Sequence, residues 1–434
     1  MILARASARL PELRLLILFA ALLTTGYVAV VATGLASFSA TPAIVPLTFL
    51  AVAAGLHAFL VAPRSRGDQL LLPLALGLTA IGLVEVQRLA PERLAVLQLT
   101  WCVIAAAAFV VTTLVPRDLS VLSRYKYTWA LLAFLLLVSP LLPGIGREIN
   151  GARIWIGIGG LVQVQPSEAV KILLVVFFAA YLDEYREILG TPRRRFGPLP
   201  VPPIPYLVPI LVMFGLAMLV MVFEKDLGAT LLFFGIFLAM LFLATGEAFY
   251  TVLGVIMLLG GGAFAYQTFG HVQVRVDTWL LPFSDEVRFG AGYQVVQGLF
   301  ALGNAGLVGT GLGNGMPERI PIVWSDFVFN AFTEETGFLG GVALLALYLV
   351  LVYRGMAIAL RAPTSFLQLL AAGLSFIIAF QTLVIVGGNT KLIPLTGVTL
   401  PFVSYGGSSL VTNFMLVALL IRISDITARV RGDR

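Results

Sequence analysis

Apolar runs of membrane length recur along this chain, and a soluble fold has no interior large enough to hide so many of them. The first, from Leu13 to about Val31, carries a single charge, Arg14. A hydrocarbon core about 30 Å thick calls for roughly 20 apolar residues per helical crossing, because a helix satisfies its own backbone polar groups where no water can. On that criterion twelve spans are predicted, near 13–34, 43–62, 69–89, 94–115, 128–143, 165–182, 205–223, 227–244, 247–268, 330–352, 366–386 and 407–423. The span at 128–143 is short and stops at Pro143-Gly144, and only Glu224, Lys225 and Asp226 separate 205–223 from its successor. Composition agrees: 59% of residues are hydrophobic, 12% are charged and the mean hydropathy is +0.99. The expected fold class is an all-α polytopic membrane protein with about 12 transmembrane helices. The first run is too long for a signal-peptide core and lacks a cleavage site, so it is expected to remain as a helix. Cys102 is the single cysteine, which leaves no intramolecular disulfide to form.

Charge sets the expected orientation. With the N-terminus cytoplasmic, eighteen of the 28 lysines and arginines fall on the inside, nine fall outside, and Lys171 lies within a span. Both termini are therefore expected inside, and the net charge of +6 is mainly a topology signal. The basic run Arg193-Arg194-Arg195, beside GPLPVPPIP, reads as a loop anchored to anionic lipid rather than as a nucleic-acid site.

Three outer segments, 144–168, 269–329 and 387–409, mix charge with glycine and proline. Irregular backbone cannot face lipid, so these segments are expected to line a shared outward cavity or to lie above the bilayer. Glu168 and Lys171 stand three apart on a helix that Pro166 opens, which puts them on one face. As a structural pair they neutralise each other; as functional groups they mark a polar pathway, and either way they point into the bundle.

The strings NGARIWIG, VQPSEAVK, EKDLGATL, GAGYQVVQGLFALGNAGLVGTGLG, SDFVFNAFTEETGFLG and PLTGVTLPFVSYGGSSL resemble, in order and placement, the motifs of the SEDS family (shape, elongation, division and sporulation), which includes RodA-, FtsW- and SpoVE-like proteins. The resemblance runs over about 69–425 and leans to the RodA side. It implies a domain plan of two additional N-terminal helices (1–62), a ten-helix core (63–425) whose catalytic loop is 269–329, and a cytoplasmic tail (426–434). It also implies a peptidoglycan glycosyltransferase in the bacterial cytoplasmic membrane. Such an enzyme polymerises lipid II at the outer face, with a class B penicillin-binding protein as its cross-linking partner.

The family's essential aspartate precedes its GYQ motif in the largest outer loop, and the position resembling it here is Asp285 in PFSDEVRFGAGYQ. This chain has about two extra residues before Gly290, so Glu286 and Asp277 stay open as alternatives. Transfer from a pyrophosphate donor needs a base for the attacking sugar hydroxyl and stabilisation of the departing charge. Pyrophosphate leaves as an anion, so one carboxylate with nearby cations replaces the paired carboxylates of a glycosidase. Arg153, Arg275 and Lys391 in the outer segments, with Lys171 deeper, are candidate cations; each also reads as a snorkelling interfacial residue. Trp155 either lines the cavity or sits in the aromatic belt. Ser404, Tyr405, Ser408 and Ser409 either bond to substrate or satisfy an interrupted helix. Asp326 matches a family acidic position in a supporting role. Gly290, Gly292, Gly406 and Gly407 read as tight turns or close approaches. A divalent cation such as Mg or Mn is open as a cofactor, though no residue cluster has metal spacing. The two histidines, His57 and His271, read as isolated and structural. Two rival classes share much of this pattern, a flippase for a lipid-linked precursor and a noncatalytic scaffold; neither calls for the loop carboxylate.

Overall fold

The computed structural model describes residues 9–33, 41–62, 65–90, 92–149, 152–158, 162–189, 194–196, 199–201, short pieces between 208 and 219, and 222–432. In chain order the helices are α1 (Leu10–Ala32), α2 (Thr41–Val61), α3 (Leu71–Leu89), α4 (Glu92–Leu114), α5 (Ser120–Arg124), α6 (Lys126–Val138), α7 (Pro166–Leu189), α8 (Leu227–Thr245) and α9 (Ala248–Thr268). They continue with α10 (Gly270–Leu280), α11 (Asp285–Arg288), α12 (Tyr293–Asn304), α13 (Val323–Asp326), α14 (Val328–Arg361), α15 (Ser365–Asn389) and α16 (Gly407–Gly432). Two small antiparallel sheets qualify the all-α expectation. One joins β1 (Gly146–Ile149), β2 (Ala152–Ile158) and β3 (Val162–Val164); the other pairs β4 (Arg194–Phe196) with β5 (Leu199–Val201).

Nine of the described helices, α1 to α4, α8, α9 and α14 to α16, are long and apolar enough to cross a membrane. The other three predicted spans differ for identifiable reasons. Residues 126–138 form the short α6, and Ser139–Leu141 closes it as a 3-10 turn. Helix α7 has 24 residues but carries Glu168, Lys171 and Asp183 within one membrane length. The span at 205–223 lies largely outside the described residues, as do Arg193 and most of the proline-rich stretch beside it.

The chain divides into two compact units. Residues 1–114, 274–355 and 381–434 form the first, and 115–273 with 356–380 the second. In the first, α3 is buried on nearly every side, as its unbroken run of aliphatic residues requires. Helix α1 packs along α3, and α16 packs along α4. In the second, α6 and α8 flank α7. An aromatic chain runs from Tyr127 through Phe177 and Phe178 to Phe237. Asp226 caps α8 by accepting from Ala229 N at 2.9 Å, and Gly246, left-handed at φ 72°, ends it by donating to the Phe242 carbonyl.

Three expectations need correction. Segment 144–168 is a β-meander where it is described, because ARIWIGI alternates isoleucine with other residues at period two and carries β-branched side chains. Segment 269–329 is largely helical. Helix α16 continues to Gly432 within the expected tail without altering that expectation, aided by an Arg429–Asp425 ion pair at 2.8 Å one turn apart. His57 is not isolated either: its Nδ1 lies 2.6 Å from Oε1 of the fully buried Glu12, which also pairs with Arg9.

Candidate active site

The outer loop has an apolar core of its own. Val295 and Ala301 of α12 pack with Ile320, Val323, Phe327 and Ala331, and Leu395 closes over them. The loop is thus folded rather than trailing, and its polar groups are held in place by what lies beneath.

Helix α10 fastens the 387–409 segment. Arg275 Nη1 donates to the carbonyls of Leu395 at 3.1 Å and Thr396 at 2.9 Å, and Trp279 Nε1 donates to the Lys391 carbonyl at 3.1 Å. Lys391 is itself left-handed at φ 63°, so the backbone reverses there as α15 ends. On the far side of the segment, Ser404 Oγ donates to the Ser325 carbonyl and accepts from Leu400 N, while Tyr405 N donates to the Trp324 carbonyl. Ser409 Oγ accepts from Thr399 Oγ1 at 2.9 Å, and the half-buried-to-buried Ser408 sits beside it in the first turn of α16. These bonds satisfy an irregular segment, the second of the two readings that the sequence allowed for Ser404 and Ser409. Gly407 opens α16 against Trp101 so closely that a Cβ would stand 2.0 Å from its ring.

Asp326 accepts from Ser325 Oγ at 2.9 Å. Burial pushes its carboxyl up, against the opposing pull of Ser325 and of the Arg275 guanidinium. Arg275, Asp326, Lys391, Ser404 and Tyr405 therefore form one linked group. Asp285 stands outside it. Its side chain is 88% exposed at the start of α11, and its recorded partner is Arg288, at 3.2 Å. Glu286 is exposed as well, and Asp277 is half-buried on α10 and engaged there.

In the second unit, Lys171 Nζ lies 2.7 Å from Glu168 Oε2, with both side chains nearly buried. Gln165, one residue before α7, reaches Asp226 at 3.4 Å. Arg153 and Trp155 are half-buried, two apart on β2 and so on one face of it; Trp155 pairs across the sheet with Arg147.

The family model for cell cycle proteins of the FtsW/RodA/SpoVE type matches residues 70–429. The chain belongs to that family. It is 41% identical over 388 residues to a protein of Mycobacterium tuberculosis (strain ATCC 25618 / H37Rv) named peptidoglycan glycosyltransferase RodA, a match covering 87% of this chain and 82% of the relative. Stage V sporulation protein E of Bacillus subtilis (strain 168) is 37% identical over 304 residues, covering 68% and 79% of the two chains. Among solved structures, a chain described under "Structural coordination of polymerization and crosslinking by a peptidoglycan synthase complex" superposes with a TM-score of 0.69 at 27% identity, covering 83% of this chain and 98% of that one. Thermus thermophilus RodA gives 0.56 at 26% identity, covering 83% and 97%. The SEDS resemblance is borne out, and the lean to RodA with it.

In this FtsW/RodA/SpoVE-family member the structure also picks out residues that the sequence analysis passed over. Arg88 of α3, nearly buried, lies 3.1 Å from Glu335 of α14 and 3.6 Å from Glu318 of the outer loop, and Glu85 is buried one turn before it. A charge inside an apolar span was the available signal. The loop meets α14 at a helix break. Gly337 is at φ 79° and ψ 179°, Thr310 N and Gly311 N donate to the carbonyls of Glu334 and Glu335, and Phe338 N and Leu339 N donate to those of Gly306 and Leu307. The two backbones touch so closely that a Cβ on Gly337 would come within 2.3 Å of Gly309 N. Among the described residues no three His, Cys, Asp or Glu side chains gather as a cation site.

Proposed function

We propose that this protein is a RodA-type peptidoglycan glycosyltransferase that polymerises lipid II, with Asp285 as the general base. The observation that carries the reading is the loop carboxylate: Asp285 is 88% exposed at the start of α11, within a loop whose packing is fixed by α12 and α13. The attacking sugar hydroxyl passes its proton to Asp285 as its oxygen bonds to the anomeric carbon of the donor. The bond from that carbon to pyrophosphate breaks, and the electron pair leaves with the anion. Lys391, in the same unit as Asp285, is the cation offered to that anion; Arg153 and Lys171 are candidate cations of the second unit. Arg275 acts first as a clamp, because its Nη1 already holds two carbonyls. In the first unit Asp326, Tyr405 and Ser408 complete the proposed substrate surface, and Ser404 and Ser409 support it from behind; in the second, Trp155 is a candidate substrate contact and Glu168 holds Lys171.

The protein spans the membrane many times. We place it in the bacterial cytoplasmic membrane with both termini cytoplasmic, which the asymmetry of lysine and arginine supports. The similarity to a complex that polymerises and crosslinks supports a transpeptidase partner of the class B penicillin-binding type. Residues 63–425 make the catalytic core, and α1 and α2 precede the region that the family model covers.

The test is glycan-strand formation from purified lipid II by the reconstituted protein with its candidate transpeptidase, wild type against Asp285→Asn. Polymer from wild type and none from the variant is the expected result. A variant that polymerises normally moves the base to Glu286 or Asp277. A wild type that makes no strands overturns the polymerase reading, and lipid flipping is then the activity to assay.

A further inference from the structure

A cavity of about 550 Å³ opens where three helices of the first unit end together. Its walls are apolar: Phe59 and Leu60 from α2, Leu114 from α4, and Ile421 and Ile426 from α16. Its rim is charged, carrying Arg422, Asp425 and Arg429 together with Ser65. The α2 wall precedes residue 70, where the family match begins, so the second of the two leading helices supplies one side of this cavity.

The rim is built rather than incidental. Arg9, almost fully buried, donates to the carbonyls of Ser65 and Gly67 at 3.0 and 3.3 Å, and Glu12 ties it to His57. Residues 65–67, before α3, are held in place by these bonds. Both Asp425 oxygens are occupied: Oδ1 accepts from Arg66 N at 2.6 Å and from Ser65 Oγ at 3.4 Å, and Oδ2 accepts from Arg429 Nε at 2.8 Å. Asp425 is thereby neutralised and orients Arg429, whose side chain stays 52% exposed. Arg422 donates to the Thr113 carbonyl at the end of α4. Two guanidinium groups against one carboxylate leave the rim net positive, directly beside an apolar hollow within the roughly 300–1,000 Å³ range of small-molecule sites.

An apolar hollow that opens beside cations where spans end matches an amphiphile with an acyl chain and an anionic head. We propose that this cavity binds an anionic phospholipid of the cytoplasmic leaflet, its acyl chain along α2 and α16 and its phosphate on Arg429 and Arg422. The leaflet rests on the orientation proposed above; the binding does not. A lipid there would join the two leading helices to α4 and α16.

The test is native mass spectrometry of the full chain in detergent, with palmitoyl-oleoyl phosphatidylglycerol or the matching phosphatidylcholine added at equal concentration. It reads binding alone, so neither the sidedness of the termini nor the glycosyltransferase activity affects it. Wild type is expected to retain phosphatidylglycerol about tenfold better. Arg429→Gln, at an exposed position, should erase most of that preference, and Ala62→Trp, which fills the hollow without changing charge, should lower retention of both lipids. Equal retention of the two lipids by wild type overturns the proposal, as does a preference that survives both variants. Competition by glycerol 1-phosphate as strong as that of the intact lipid also overturns it, since that would make the rim a site for soluble phosphate.

Discussion

Asp285–Arg288 and Glu168–Lys171 are the same device in sequence, an acid followed three residues later by a cation in a helix. In the structure they are opposites. The first pair spans 3.2 Å with side chains 88% and 44% exposed, on a four-residue helix in the outer loop. The second spans 2.7 Å with side chains 10% and 4% exposed, inside a 24-residue helix. In water the pair gains little, and the carboxylate remains open to a proton or a substrate. Out of water each partner substitutes for hydration the other has lost, so the pair is bound up with the fold. Exposure, not spacing, separates the group suited to chemistry from the group suited to holding helices in place.

The contrast can be broken in four places. Asp285→Asn keeps the shape and removes the proposed base, so strand formation should fall by about a hundredfold to ten-thousandfold with the unfolding temperature unchanged; equal loss of both would make Asp285 structural. Lys171→Met leaves Glu168 buried and unpaired, which should cost about 3–5 kcal/mol in thermal or denaturant unfolding in detergent. Adding Glu168→Gln should restore part of that loss, and a Lys171→Met protein as stable as wild type would mean that the pair is solvated after all. Gly337→Ala forces a side chain into a left-handed position against Gly309, and a loss of about 1–3 kcal/mol should appear in the same unfolding measurement. Smallest of all, Arg288→Gln should change stability by less than about 1 kcal/mol, and added salt should shrink even that.

Much of this was legible beforehand because hydrophobic length is a local property. The crossings at α1 to α4, α8, α9 and α14 to α16 follow from runs of apolar residues that need no partner to be recognised. The Glu168–Lys171 pair was legible for the same reason, through the helical repeat. The β1–β3 meander is less legible although ARIWIGI carries the period-two signal, because a strand this short, set among glycines and charges, becomes one only by pairing with its neighbours. Arg88, Glu335 and Glu318 were missed because they meet from three distant parts of the chain.

The sequence by itself determined that this protein is a membrane protein, where nine of its membrane-length apolar helices lie, and which family's motifs it carries, since each of these is written in short stretches. Only the tertiary structure decided what those residues do there. It assigned Arg275 to two backbone carbonyls, broke α14 at Gly337 to receive the outer loop, left Asp285 in the open, and hollowed a cationic cavity between α2, α4 and α16. Each depends on which groups become neighbours and how much water remains between them, and a linear pattern does not carry that information.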